Sequence, residues 1–177
     1  MSEPTPLLDR KGIEEAFGRL GARLAKRGVV ADIYVFGGAA MALAYDLRRA
    51  TRDVDALFKP HGIVLEEAQA VAAELGLPNW WLKEQASSYA APGGDPSASR
   101  VFDHPGLRVF AASPEHLLAM KALAARPRDA QDIRQLVEML KLHTVADVLA
   151  LVQDVFPEEE PPARLRLLLE DIFGQIN

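Results

Sequence analysis

Two apolar runs separated by a glycine pair constrain this chain most. Ile33-Tyr34-Val35-Phe36 ends at Gly37-Gly38, and Asp53-Val54-Asp55 leads into a second run, Ala56-Leu57-Phe58. Runs rich in β-branched and aromatic residues and bounded by breakers read as buried strands. The Ala-rich stretch from Gly38 to Tyr45 reads as a short helix opening directly behind the glycines. Side chains alternate between faces along a strand, so Asp53 and Asp55 share one face and Val54 and Ala56 take the other. Two carboxylates on one face of a mostly buried strand repel each other. A hard cation removes that repulsion, and Mg²⁺ is held by one or two carboxylates together with substrate phosphates. The pattern points to metal-assisted phosphoryl chemistry.

The 177 residues suit one domain, or one domain with a helical appendage. The absence of cysteine excludes disulfides and thiolate metal sites. No stretch is long and apolar enough to cross a bilayer. The segment from Met1 to Asp9 lacks the basic-then-apolar layout of a signal peptide, so a cytoplasmic protein is expected. With a net charge of −5, any nucleic-acid contact needs a local basic patch. Arg48, Arg49, Arg52, Arg126 and Arg128 supply candidates for one; ordinary surface charge accounts for them equally well.

The elements follow from periodicity and breakers. Ile13, Phe17, Leu20 and Leu24 give a helix over Arg10 to Lys26 one apolar face, with Gly28 as its stop. Strands are expected over Asp32 to Phe36, over Asp53 to Phe58 and over Gly106 to Ala111. Trp80-Trp81-Leu82 start another. A helix over Ile63 to Leu75 ends at Gly76. The stretch from Ala91 to Ser99 is a breaker-rich loop. Ser113 and Pro114 are an N-cap followed by proline at the first helical position, opening a helix to about Ala125. A second helix covers Arg128 to Leu140, Thr144 caps a third, and a last one follows Pro162 with Leu165, Leu168, Leu169 and Ile172 on one face. This order predicts an α/β (α+β) fold: a small mixed sheet with flanking helices over 1–112, and a C-terminal helical region, 113–177, packed on that core.

Three features carry chemistry. Glycines between a strand and a helix let a phosphate approach the helix N-terminus closely, although a tight turn alone also calls for them. The Asp-x-Asp pair could be solvated on an edge strand or bridged to Arg48, Arg49 or Arg52; coming after the glycines, it reads better as a metal site. Lys121 lies inside the apolar stripe of Leu117, Leu118, Ala124 and Ala125. A buried ammonium needs a partner, and Asp129 and Asp132, on the buried side of the next helix, are candidates, with a Lys121–Asp132 pairing expected at the helix corner. Snorkelling at the core rim is the alternative for Lys121. The histidines His61, His104, His116 and His143 show no metal-ligand spacing and are read as surface or capping residues. Trp80 and Trp81 are read as core and sheet edge rather than as a base-stacking platform. Ser87, Ser88 and Ser97 lack a nucleophile-elbow context.

Gly37-Gly38 followed by Arg52-Asp53-Val54-Asp55 resembles the signature of the DNA polymerase β-like nucleotidyltransferase superfamily. The run from Ser113 to Lys121, then Arg126-Pro127-Arg128-Asp129-Ala130-Gln131-Asp132-Ile133, is similar to the lysine and Arg-Asp-x-x-Asp motifs of the AbiEii-like and MenT-like toxin group, and within it to the DUF6036 branch. The resemblance spans about residues 10 to 142. It implies that Gly37 and Gly38 hold a nucleoside triphosphate, that Asp53 and Asp55 bind Mg²⁺ (or Mn²⁺ in its place), and that Lys121 contacts the triphosphate. It makes Asp132 the later acidic residue of the site, places Asp129 beside the nucleotide as the less favoured candidate for that role, and gives Arg52 a phosphate contact. It further implies nucleotide transfer from an NTP to an acceptor hydroxyl, with tRNA or another RNA as acceptor and an antitoxin protein as partner. One departure stands out. Many relatives carry a third carboxylate on a later strand, where this chain has Leu107-Arg108-Val109-Phe110, with Asp103 expected in a nearby turn. That departure keeps a second reading open, a transferase-fold module that binds nucleotide or a protein partner without transfer. A phosphatase-like use of Asp-x-Asp fits less well, because the pair follows the glycine helix rather than ending the first strand.

Overall fold

The computed structural model describes residues 4–47, 50–84 and 94–176. The described residues divide into two compact units: 4–84 with 98–112, and 94–97 with 113–176.

The first unit is a five-stranded mixed sheet with three helices. Its strands are β2 (Ala31–Phe36), β4 (Val54–Lys59), β5 (Leu82–Glu84), β6 (Ser99–His104) and β7 (Leu107–Ala111), in the order β5-β4-β2-β7-β6. A separate two-stranded ribbon pairs β1 (Leu8–Asp9) with β3 (Ala50–Thr51). Strand β2 sits at the centre, antiparallel to β4 and parallel to β7. Alternation then sorts the side chains. Ile33, Val35, Val54, Ala56 and Val109 are fully buried and share the face against which α1 (Arg10–Lys26) and α3 (His61–Leu75) pack. The register places Asp32, Tyr34 and Phe36 opposite Lys59, Leu57 and Asp55 on the other face.

Helix α1 starts where Asp9 accepts the Gly12 N–H at 2.7 Å, an N-cap bond. Its buried residues are Ile13, Phe17, Leu20 and Leu24, with Ala16 and Gly21 between them. Arg23 and Arg27 reach across to Glu67 of α3 at 2.6 and 3.2 Å. Burial alone would raise the Glu67 carboxyl; hydrogen bonds from the two guanidinium groups, reinforced by their charges, hold it below its ordinary value. Helix α3 ends at Gly76 in the left-handed conformation (φ 67°), which glycine adopts without strain. Helix α2 (Gly37–Ala44) follows β2 without a linker.

The second unit is helical: α4 (Pro114–Ala124), a 3₁₀ turn (Pro127–Asp129), α5 (Ala130–Met139), α6 (Val145–Val155) and α7 (Ala163–Ile176). Ser113 caps α4 by accepting the His116 N–H at 3.2 Å. Thr144 and Asp147 form a reciprocal capping box on α6. The face of α7 is Leu165, Leu169, Ile172 and Phe173, with Leu168 only half-buried.

Leu8–Asp9 and Ala50–Thr51 pair with each other, outside the strands expected from the sequence. Two expectations need correction. Ser99–His104 is a strand, so Asp103 lies in β6 and not in a turn; its polar, half-exposed sequence hides it from apolar patterning. His116 is buried, not superficial: it is 4 % exposed and makes an edge contact with Phe156. The stretch from Ala91 to Ser99 is described only from Gly94 onward; Arg48, Arg49, Ser87 and Ser88 lie outside the described residues.

The turn between β6 and β7 runs close under α1. A Cβ at Gly106 would lie 2.7 Å from the Ala25 nitrogen, and backbone cannot yield as a side-chain tip can. We expect Gly106→Ala to cost about 1–3 kcal/mol through overpacking. Gly18, on α1 with open space around its Cα, should give the opposite sign, a gain of about 0.5–1 kcal/mol on substitution by alanine. Urea denaturation of the two variants checks both signs.

Candidate active site

The carboxylates of the first unit are placed by strand register. Phe36, the last residue of β2, stands opposite Asp55, so the chain enters α2 beside that side chain. Gly37 takes φ 62°, and a Cβ built on it would meet the Asp55 Oδ2 at 3.4 Å. The left-handed backbone calls for glycine, and a Cβ there would only touch the carboxylate at van der Waals distance. Gly38 is the second residue of α2, whose opening N–H groups and positive dipole end suit an anion. Asp55 is half-buried, as is Asp53 just before β4. Thr51 fixes the approach by donating its hydroxyl to the Asp53 carbonyl at 3.0 Å. Arg52 is exposed immediately before the pair.

One residue here escapes sequence reasoning. Lys83, on β5, stands opposite Asp55 in the parallel β4–β5 register. Its Nζ lies 2.9 Å from the Asp53 Oδ2. The hydrogen bond it donates to Asp53 raises the ammonium above its ordinary 10.5, partial burial works against the rise, and the charges of Asp53 and Asp55 add to it. Standing opposite Asp55 and bonded to Asp53, Lys83 brings one cation to both. Nothing local marks Lys83 in the sequence; only strand pairing brings it there.

The pair fits a magnesium ion by donor chemistry. Two aspartates on one face, without a third clustered His, Cys, Asp or Glu among the described residues, match a cation that keeps several waters and binds substrate phosphate. On β7, Phe110 stands opposite Tyr34, and Arg108 stands opposite Asp32 and bonds it in bidentate fashion at 2.7 and 3.0 Å. Strand β7, Leu107–Ala111, carries no acidic residue.

The remaining sequence-predicted residues assemble in the second unit. Lys121 is 7 % exposed, with Nζ 3.1 Å from Asp129 and 3.0 Å from Asp132, so the expected Lys121–Asp132 pairing forms and Asp129 joins it. Arg126 adds a bond to Asp129 at 2.9 Å. Burial alone would raise the Asp129 carboxyl, but the charge and hydrogen bond of Lys121, then those of Arg126, hold it below its ordinary 3.8. Gly37, Gly38, Arg52, Asp53 and Asp55 thus form one group and Lys121, Asp129 and Asp132 another, each within its own unit. The second unit also contains a cleft of about 660 Å³ with Asp95, Ser113, His116, Asp154 and Glu158 in its lining. There the Asp95 carboxylate accepts the Ser113 N–H at 2.7 Å and lies 4.0 Å from the His116 Nδ1.

The buried triad makes a signed prediction. A carboxyl whose folded value is depressed contributes stability that is complete well above its unfolded value and is lost as pH falls through the folded one. For Asp129 that loss falls below about pH 3.8. Lys121→Met removes the ammonium that Asp129 and Asp132 share, leaving Arg126 on Asp129, and should cost about 3–5 kcal/mol at neutral pH. The deficit against the parent should narrow as pH drops below about 3.8, where Asp129 loses the charge that Lys121 holds. Guanidinium titrations at pH 7 and at pH 3 to 4 measure both effects.

Comparison with known proteins bears on this geometry. A family model described as "Nucleotidyltransferase of unknown function (DUF6036)" matches residues 19–169. No curated protein matches the chain. The crystal structure of an antigenic nucleotidyltransferase-like protein from Paracoccidioides brasiliensis aligns with a TM-score of 0.48 at 17% identity, over 96% of this chain and 95% of that one, a likeness too low to bear on the site. By the family match, which spans most of its length, the chain belongs to the DUF6036 family of nucleotidyltransferases of unknown function.

Proposed function

We propose that the protein transfers a nucleotide from a nucleoside triphosphate to an acceptor hydroxyl, with Asp53 and Asp55 holding Mg²⁺, or Mn²⁺ in its place. The observation that carries this reading is the nearness of the Asp55 carboxylate to Gly37 at the opening of α2. A carboxylate beside a helix N-terminus within one unit suits a metal ion and a phosphate side by side. When bound, the metal ion would neutralise phosphate charge and lower the pKa of the attacking hydroxyl. The chain's own groups do the rest. Gly37 and Gly38 admit phosphate oxygens to the α2 N–H groups without a Cβ in the way. Arg52, exposed at the entrance, meets phosphate from the solvent side. In the transfer, the acceptor oxygen forms a bond to the α-phosphorus, the bond from that phosphorus to the β-bridging oxygen breaks, and pyrophosphate leaves with the electron pair. The hydroxyl proton passes to water. Positioning and charge stabilisation account for most of the catalysis in such a step.

RNA, and tRNA in particular, is the acceptor this reading favours, and a toxin held in check by an antitoxin is the corresponding cellular role. Both rest on the likeness of the motifs around Asp53 and Lys121 to the AbiEii-like and MenT-like group. A cytoplasmic location suits such a role, and no helix among the described residues is long and apolar enough to cross a membrane. A second reading, a nucleotide- or partner-binding module without transfer, is favoured by the aromatic and arginine side chains of Phe110 and Arg108 on the strand where a third acid would stand.

Purified protein incubated with Mg²⁺, each labelled NTP and total RNA should place label in RNA. Asp53→Asn and Asp55→Asn should each lower the rate about a hundred- to a thousandfold, the order of loss expected when a transition-state charge contact goes, with circular dichroism and melting behaviour unchanged. Full activity in either variant would remove the mechanism; nucleotide binding without any label transfer would select the module.

A further inference from the structure

Trp80 and Trp81 are adjacent in sequence but differ sharply in environment. Trp81 is fully buried, donates its indole N–H to the Ala68 carbonyl at 2.8 Å, and contacts the Phe17 ring. Its backbone is also fixed: its N–H reaches the Pro78 carbonyl at 3.0 Å, and its carbonyl accepts the Val54 N–H at 2.6 Å. Trp80 is 44 % exposed. A large indole held in solvent by an anchored neighbour loses hydrophobic free energy unless something covers it. Lys83 lies over it, with Nζ 4.9 Å from the ring centroid, and the same Nζ is bonded to Asp53. One ammonium therefore connects an exposed aromatic face to the carboxylate pair.

We infer that Trp80 and Lys83 form a nucleotide subsite beside the Asp53–Asp55 pair, in which the Trp80 indole stacks a nucleobase and Lys83 takes a phosphate oxygen. The inference rests on the transferase reading of that pair and names the groups that hold its substrate. Lys83 balances the charge of the carboxylates through its bond to Asp53. A cation arriving at Asp53 and Asp55 repels the ammonium and releases it toward the incoming phosphate, so Lys83 competes with metal and assists nucleotide. Stacking suits any base, because every base presents a π-face. The stacked base belongs either to the donor triphosphate or to the terminal nucleotide of the acceptor strand, and both present the same chemistry.

The chain has two tryptophans, and the buried one reports a constant background, so indole fluorescence of the full-length protein reads Trp80. With Mg²⁺ present, a non-hydrolysable triphosphate should quench the emission if the donor base is stacked; a short RNA oligomer without triphosphate should quench it if the acceptor base is. Quenching by neither overturns the subsite. Trp80→Ala should weaken binding of the quenching ligand about five- to a hundredfold by calorimetry. Trp80→Phe should keep binding within a few-fold while abolishing the quench, which a merely structural tryptophan would not do. Lys83→Met should tighten Mn²⁺ binding roughly tenfold, since a competing charge is gone, and weaken nucleotide binding; unchanged or weaker Mn²⁺ affinity would overturn the handover. Transfer without quenching would keep the transferase and remove the subsite, whereas quenching without transfer would keep the subsite and remove the transferase.

Discussion

The antiparallel register between β2 and β4 decides where the chemistry of the first unit sits. Because Phe36 stands opposite Asp55, the last residue of one strand and the first acidic residue of the other meet at the same level. The chain must then leave β2 through a left-handed residue beside a carboxylate. Gly37 satisfies both demands. A slip of one residue would turn every side chain of β4 over, sending Asp55 into the apolar face under α1 and α3 and Val54 into water. The cost of burying that charge pins the register, and the register pins the site.

Much of this was legible in the chain. Helix α1 runs over the residues that its apolar spacing predicts, α3 ends at Gly76 as expected, and Ser113 and Thr144 cap the helices they were expected to cap. These features are local, so a window of residues contains their cause. The pairing of Asp53 and Asp55 on one side follows from alternation alone. What could not be read was non-local or lacked periodicity. The ribbon of β1 and β3 has two residues per strand, too few to alternate. Strand β6 carries Ser99, Arg100 and Asp103 with little burial, because it lies at the sheet edge. Lys83 owes its place to a parallel pairing with Asp55, far from it in sequence, and the burial of His116 depends on Asp95 and Phe156, distant along the chain.

The two groups of charged residues differ in kind. Lys121, Asp129 and Asp132 are buried and close to mutually neutral, with Arg126 completing the balance from the surface. Such a cluster is expensive to break and gives its corner between α4 and α5 a single arrangement. Asp53, Asp55 and Lys83 are half-exposed, and an ion pair at that depth is weakly held and salt-sensitive. Exchange of one cation for another is inexpensive there. A rigid helix corner and a labile carboxylate pair are suited to different tasks, scaffold in one case and ligand exchange in the other.

The small ribbon of β1 and β3 has a practical meaning. Leu8 pairs with Thr51, and Thr51 in turn holds the Asp53 carbonyl. Leu8 and Asp9 are thus stitched to the segment that leads into Asp53. Cutting the polypeptide back past Leu8 would unfasten that stitch two residues from Asp53, so for expression work the stretch around Leu8 is a poor place to trim.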